Sequence, residues 1–238
     1  MKLLIDAGNT RIKWAFVKGD EWLRPGVLPI EQVRELAQHL NDISQVQQIW
    51  VSNVAGEKVA RAIRAFSSYP VNFITASEAQ CGVRNSYNDA AQLGSDRWAA
   101  LIAAWHLLGQ ACLVVNCGTA TTVDTLSNQG EFIGGLILPG TNMMQQSLPI
   151  GTAKLKSHSG KYAAFPLNTA DAIFSGAIQA SSGAIQRQYG LLNDNAVPIL
   201  LSGGASVVLQ PHLNNLPIRV SDNLVLQGLG LIAQEANA

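Results

Sequence analysis

Three short polar turns in this 238-residue chain each follow an apolar run and carry groups suited to gripping phosphate. The first is Asp6-Ala7-Gly8-Asn9-Thr10, continuing through Arg11, Ile12 and Lys13. The second runs from Gly118 and Thr119 to Asp124, and the third is Gly203-Gly204. Phosphoryl transfer needs donors for the phosphate oxygens, a holder for a metal ion and a residue that orients the attacking oxygen. A turn supplies backbone N–H groups, Thr10 and Thr119 supply hydroxyls, Lys13 a cation and Asp6 a carboxylate that could orient magnesium. Gly8 and Asn9 tolerate positive φ, Gly118 allows close backbone approach, and Gly203-Gly204 offers bare backbone to a flat purine. Each turn alone reads equally well as ordinary turn chemistry. The order strand–DxGNT, strand–GTxTxxD, strand–GG is far more specific than its parts.

A fourth position suits proton transfer. Asp96 follows Gly94-Ser95 and precedes Arg97 at the head of the strongly helical stretch Trp98–Leu108. The positive end of a helix favours a carboxylate, so Asp96 could serve as a general base. Ser95 or Asp96 could equally cap the helix, with Gly109 ending it. Arg97 could grip an anion through its fork of donors, or make a surface ion pair.

The elements that must position these residues alternate. Leu3–Ile5 reads as a buried strand, and Ile12, Trp14 and Phe16 alternate as its hairpin partner. Helical spacing over Pro29–Leu40, a strand at Ile49–Val51, a helix around Glu57–Phe66 and a strand at Val71–Ile74 complete a β-β-α-β-α-β series. The pattern restarts with strand Leu113–Val115, then strand Phe132–Leu138, helices at 142–148 and 170–188, strand Ile199–Leu201 and a last helix at 225–236. Ser157–Pro166 reads as a polar loop. Two hairpin-like units, near 3–17 and 113–126, point to two α/β halves divided near residue 110.

Composition narrows the function classes. Hydrophobic residues make up 47% and charged residues 13%, with 16 basic and 16 acidic side chains in balance. No basic cluster marks a nucleic-acid or membrane footprint. Cys81, Cys112 and Cys117 form no C-x-x-C pair, which suits reduced thiols. Asp6 breaks the first apolar run, and no stretch reaches the ~18 apolar residues of a membrane span. The expectation is a soluble, cytoplasmic protein. Gly160-Lys161 is followed by Tyr162, so no P-loop is present. The Gly228-x-Gly230 match to a dinucleotide fingerprint sits at the C-terminus, where it reads as helix packing.

Together these motifs resemble the type III pantothenate kinases of the acetate/sugar-kinase, heat-shock chaperone and actin superfamily. DAGNTRIK at 6–13, GSDR at 94–97, GTATTVD at 118–124, GGLILPG at 134–140, NTADAI at 168–173 and LSGGA at 201–205 carry the resemblance. It implies two ribonuclease H-like, actin-like α/β halves, 1–110 and 111–238, facing across a nucleotide cleft. It implies ATP-dependent phosphorylation of pantothenate, the first step toward coenzyme A. Residues Asp6, Ala7, Gly8, Asn9, Thr10, Arg11, Ile12 and Lys13 would then lie around the ATP phosphates with Mg2+ near Asp6, and Thr119 would touch ATP. Asp96 would be the general base, with Tyr87, Gly94, Ser95, Arg97 and Thr169 around pantothenate. The family is dimeric, and Gly151-Thr152 is a candidate for completing the partner's pocket.

One departure stands out. Asn116 occupies the position where the family pattern has an aspartate that helps bind K+ or NH4+. An amide oxygen contributes no charge, so cation affinity is expected to fall. Relatives labelled as transcriptional accessory factors leave an ATP-binding regulatory protein as a rival reading. A sugar or small-acid kinase of the same superfamily is another.

Overall fold

The computed structural model describes residues 1–19, 21–40, 45–66, 69–151, 159–194 and 196–237. The chain forms two compact units. Unit 1 comprises Met1–Gly109, Gly130–Phe132 and Asn223–Ala238; unit 2 comprises Gln110–Gln129 and Ile133–Asp222. A division at 110 places the last helix in the second half, whereas the structure groups it with the first.

In unit 1, β1 (Lys2–Ala7) and β2 (Arg11–Lys18) form the antiparallel hairpin, with β3 (Glu21–Pro29) added beyond β2. A 3-10 turn at Ile30–Glu35 and a short α1 (Leu36–His39) follow. Next come β4 (Gln48–Asn53), α2 (Glu57–Ala65) and β5 (Val71–Phe73), giving the strand order β3-β2-β1-β4-β5. The short strands β6 (Ala79–Gln80) and β7 (Val83–Asn85) lead to α3 (Ser95–Leu108). Leu3, Ile5, Ile12, Phe16, Ile49, Val51 and Ile63 fill the core between the sheet and its covering turns.

Two details differ from the sequence pattern. The stretch after Pro29 is mostly 3-10 helix at Ile30–Glu35, with a single α-helical turn at Leu36–His39. Strand β3 carries no alternation and includes Pro25 and Gly26; it is an exposed edge strand. A Cβ on Gly26 would collide with the Trp14 ring at 2.0 Å, so the glycine makes room for that indole.

In unit 2, β8 (Cys112–Cys117) and β9 (Ala120–Leu126) form a second hairpin. Then come β10 (Glu131–Pro139), α4 (Thr141–Gly151), α5 (Thr169–Gly190), β11 (Ile199–Ser202), α6 (Ser206–Leu209) and β12 (Ile218–Val220). Its strands are ordered β12-β11-β8-β9-β10. Glu131 and Phe132 open β10 but belong to unit 1, where they pair in parallel with Arg84 and Asn85.

The internal repeat is visible in the register. Asp6 is the penultimate residue of β1 and lies opposite Ser52 in the parallel strand β4. Asn116 is the penultimate residue of β8 and lies opposite Ser202 in the parallel strand β11. The last helix, α7 (Leu224–Glu235), packs on α3. A Cβ on Gly228 would fall 1.9 Å from the Ala99 carbonyl oxygen, so Gly228 permits this contact, as the packing reading expects. Among the described residues no helix is long and apolar enough to cross a membrane.

Candidate active site

The hairpin of unit 1 sets Asp6 at the end of a buried strand. Leu3, Leu4 and Ile5 are fully buried, so β1 is anchored and its half-buried Asp6 emerges at the rim. The turn closes through the Gly8 N–H donating to the Arg11 carbonyl at 3.0 Å, and Ile30 N–H donates to the Thr10 carbonyl at 3.0 Å. Neither Gly8 nor Asn9 takes a positive φ, contrary to the expected reason for those residues. Instead, a Cβ on Gly8 would have only the Arg11 carbonyl within 4 Å, so the glycine leaves the outer side of the turn open. Asn9, Thr10 and Arg11 are exposed and Lys13 is half-buried. Ala7 and Ile12 lie in the core and pair with each other across the hairpin, so they support the turn rather than reach a ligand.

Next to this strand stands the head of α3. Ser52 of β4 and Ser95 of α3 are both buried and share a hydrogen bond of 2.9 Å. Since Ser52 sits opposite Asp6, the bond ties the base of the Asp6 strand to the residue before Asp96. The helix is capped by Gly94 without a side-chain bond, so neither Ser95 nor Asp96 is its N-cap. Asp96 Oδ1 instead accepts the Arg97 backbone N–H at 2.8 Å. A Cβ on Gly94 would meet that same Oδ1 at 2.7 Å, which explains a glycine before this acid. Gly109 takes a left-handed φ of 58° and ends the helix as expected.

The two carboxylates feel each other. Burial, and then the Asp96 charge, raise the Asp6 carboxyl from 3.8 to about 7, against the pull of Lys13. Burial also raises Asp96, opposed by the Arg97 backbone N–H and the Arg97 charge. Such raised acids are what a site needs to hold a cation or take up a proton near neutral pH.

Arg97 is not at the surface: it is only 6% exposed. Its Nη1 donates to the Tyr87 hydroxyl at 3.0 Å, and its guanidinium lies 5.7 Å from the Tyr87 ring centre and 5.6 Å from that of Phe132. Tyr87 is half-buried against Arg97 and Phe132. Unit 1 therefore brings together Asp6, Ser95, Asp96, Arg97 and Tyr87. Ser52 and Phe132 belong to this cluster and were not singled out from sequence. Ser52 carries a signal, a polar residue ending an apolar strand as Asp6 does; Phe132 reads only as a strand residue.

Unit 2 holds the other candidates. Three glycine motifs converge on the turn between β8 and β9. A Cβ on Gly140 would sit 2.3 Å from the Gly118 carbonyl oxygen and 2.5 Å from that of Thr119. A Cβ on Gly203, whose φ is 93°, would sit 2.4 Å from the Cys117 carbonyl oxygen and 2.7 Å from Asn116 Oδ1. Gly203 is thus required by the fold itself, beyond any purine contact. Gly118 is exposed and Thr119 half-buried. Thr169 is exposed at the first turn of α5, in a cavity of about 590 Å³ shared with Leu148, Leu167, Asn168 and Ile173. Thr152 and part of the 157–166 loop lie outside the described residues.

The raised Asp6 carboxyl has a consequence for stability. The unfolded chain ionises this group near 3.8 and the folded chain near 7, so the carboxylate costs stability increasingly as pH rises between these values. Asp6→Asn is expected to raise the Tm of the ligand-free protein by roughly several degrees near pH 8 and to leave it almost unchanged near pH 4. An equal Tm difference at both pH values would show that Asp6 ionises normally.

Comparison with known proteins places this arrangement. The type III pantothenate kinase family model matches residues 2–190. A type III pantothenate kinase of Nitrosospira multiformis is 46% identical over 242 residues, covering 99% of this chain and 92% of the relative. That of Aromatoleum aromaticum is 46% identical over 240 residues, covering 99% and 98%. Among solved structures, a Campylobacter jejuni protein described as a Baf family transcriptional activator superposes with a TM-score of 0.64 at 22% identity, covering 99% of this chain and 98% of that one. Component A of (R)-2-hydroxyglutaryl-CoA dehydratase from Acidaminococcus fermentans gives 0.55 at 14% identity, covering 100% and 99%. At these identities the structures speak for the fold alone, and it is the actin-like α/β fold expected from the sequence. The chain belongs to the type III pantothenate kinase family.

Proposed function

We propose that this chain transfers the γ-phosphoryl group of ATP to the primary hydroxyl of pantothenate, giving 4'-phosphopantothenate for coenzyme A synthesis. The observation that carries the reading is the pairing of two raised carboxylates, Asp6 and Asp96, beside a buried arginine. Family membership supports the substrates, and the surroundings of each residue in unit 1 support the division of tasks that follows.

Asp6 is suited to magnesium. Among the described residues no group of three or more His, Cys, Asp or Glu side chains could hold a metal by itself. Magnesium fits a site with one carboxylate, because it keeps waters and takes substrate phosphate oxygens as its remaining ligands. When bound, the ion supplies positive charge at the β- and γ-phosphate oxygens. The exposed tip of the hairpin, Asn9–Arg11, is the part of the turn that would face those oxygens.

Asp96 accepts the hydroxyl proton of pantothenate as its oxygen attacks the γ-phosphorus in line. Burial makes the carboxylate basic enough for this task, and the Arg97 N–H fixes its orientation. Arg97 holds the substrate carboxylate, with Gly94, Ser95 and Tyr87 as further contacts. At the second hairpin, Asn116 offers an amide oxygen where a K+ or NH4+ site would need charge.

A homodimer suits the surface of unit 2. Phe165 and Leu167 are 90% and 98% exposed, and Ile133, Ile137 and Met143 are also exposed. Exposed apolar side chains of this size suit burial in a protein–protein interface, and a second copy is the partner the family implies.

An assay of phosphopantothenate formation tests the proposal. The purified protein is expected to form product with Mg-ATP, and Asp96→Asn to lower turnover at least roughly a hundredfold with its circular dichroism unchanged. Near wild-type turnover in that variant removes Asp96 from the role of base. ATP binding without product in the wild-type protein would favour the regulatory reading. Omitting K+ and NH4+ is expected to change the rate by less than about twofold, as the uncharged Asn116 predicts. A strict requirement for either ion would contradict that.

A further inference from the structure

We propose that Phe132 is a specificity-determining residue: its ring holds the Arg97 guanidinium in place and so tunes the enzyme to substrates that carry a carboxylate. The inference rests on the reading of Arg97 as the carboxylate holder and adds to it a residue outside the GSDR motif.

Phe132 is fully buried and opens β10. Its ring centre lies 5.2 Å from that of Tyr87, tilted by 48°, and both rings lie within 6 Å of the same guanidinium. At such distances the negative face of a ring attracts a cation, and the attraction grows as water is excluded. Arg97 is buried, so its charge has little water to lean on. The Tyr87 hydroxyl accepts from Nη1 of the planar guanidinium. The Phe132 ring restricts the guanidinium without consuming any N–H donor, so its grip does not compete with a bound carboxylate.

Backbone and side chain of Phe132 do separate things. Its carbonyl accepts the Ser86 N–H at 3.2 Å, and Gly130 accepts the Arg84 N–H at 2.9 Å, which fixes the segment that leads to Tyr87. Those bonds survive a side-chain substitution. Replacing the ring by an aliphatic group of similar bulk therefore removes the interaction with Arg97 and keeps the strand pairing.

The test is steady-state kinetics of Phe132→Leu, Phe132→Tyr and Arg97→Gln with pantothenate, and with its carboxamide as the neutral analogue. Phe132→Leu is expected to raise the KM for pantothenate about tenfold while kcat and the KM for ATP stay within about twofold. Preference for pantothenate over the carboxamide should fall by the same factor, and Phe132→Tyr, which keeps a ring, should restore most of it. An unchanged pantothenate KM in Phe132→Leu, or an equal loss in kcat and both KM values, overturns the proposal. Should Phe132→Leu fail to fold, Phe132→Met gives the same reading, since it fills the space without a ring face. Arg97→Gln separates the two levels. If it leaves the pantothenate KM unchanged, the carboxylate role of Arg97 fails; if it raises that KM and Phe132→Leu does not, only the role of Phe132 fails.

Discussion

The burial of two neighbouring carboxylates, Asp6 and Asp96, is the constraint around which unit 1 is built. Asp6 and Asp96 come from elements far apart in sequence, and neither would be placed beside the other by stability alone. The structure holds them together with uncharged devices. Strand β1 is locked between β2 and β4 by a continuous register on both sides. The Ser52–Ser95 bond joins that sheet to the first residue of α3. Behind α3, the missing side chain at Gly228 lets α7 press against the Ala99 backbone. Lys13 offsets part of the Asp6 shift, and Arg97 part of that of Asp96, yet both stay raised. A site poised in this way stores unfavourable energy that a metal ion or a proton relieves.

Unit 2 repeats the scaffold with an amide where unit 1 has the Asp6 carboxylate. Asn116 occupies the place in β8 that Asp6 occupies in β1, and Ser202 the place of Ser52. The turn that follows is instead shaped by backbone crowding: Gly140 and Gly203 approach the Cys117–Thr119 carbonyls more closely than any side chain would allow. One hairpin is thus specialised by a carboxylate and the other by bare backbone. The same fold supports both because the strand register, rather than the polar residue, fixes each turn.

Much of this was legible in the residues. The hairpins, α3 and α5 follow from apolar periodicity, and the glycine motifs mark turns that the structure confirms at Gly109 and Gly203. What escaped sequence reasoning depends on contacts across the chain. Strand β3 is exposed and carries Pro25, so it lacks the alternation that identifies a strand. The α7 helix joins unit 1 through a contact at Gly228 that no local pattern assigns to either half. Gly8 was read as a left-handed turn residue, yet its φ is ordinary, and its value lies in the open space outside the turn. Phe132 becomes a site residue only because a parallel pairing with β7 brings it to Arg97.

The central claim is that the two acids divide the work, Asp6 serving the metal–nucleotide and Asp96 the substrate proton. Calorimetric titration of Mg-ATP into the wild-type protein and the two Asp→Asn variants tests it most directly. The account predicts that Asp6→Asn weakens Mg-ATP binding by about tenfold or more, while Asp96→Asn binds it as well as, or better than, wild type because a repelling charge is gone. Equal weakening in both variants, or a loss confined to Asp96→Asn, would contradict it.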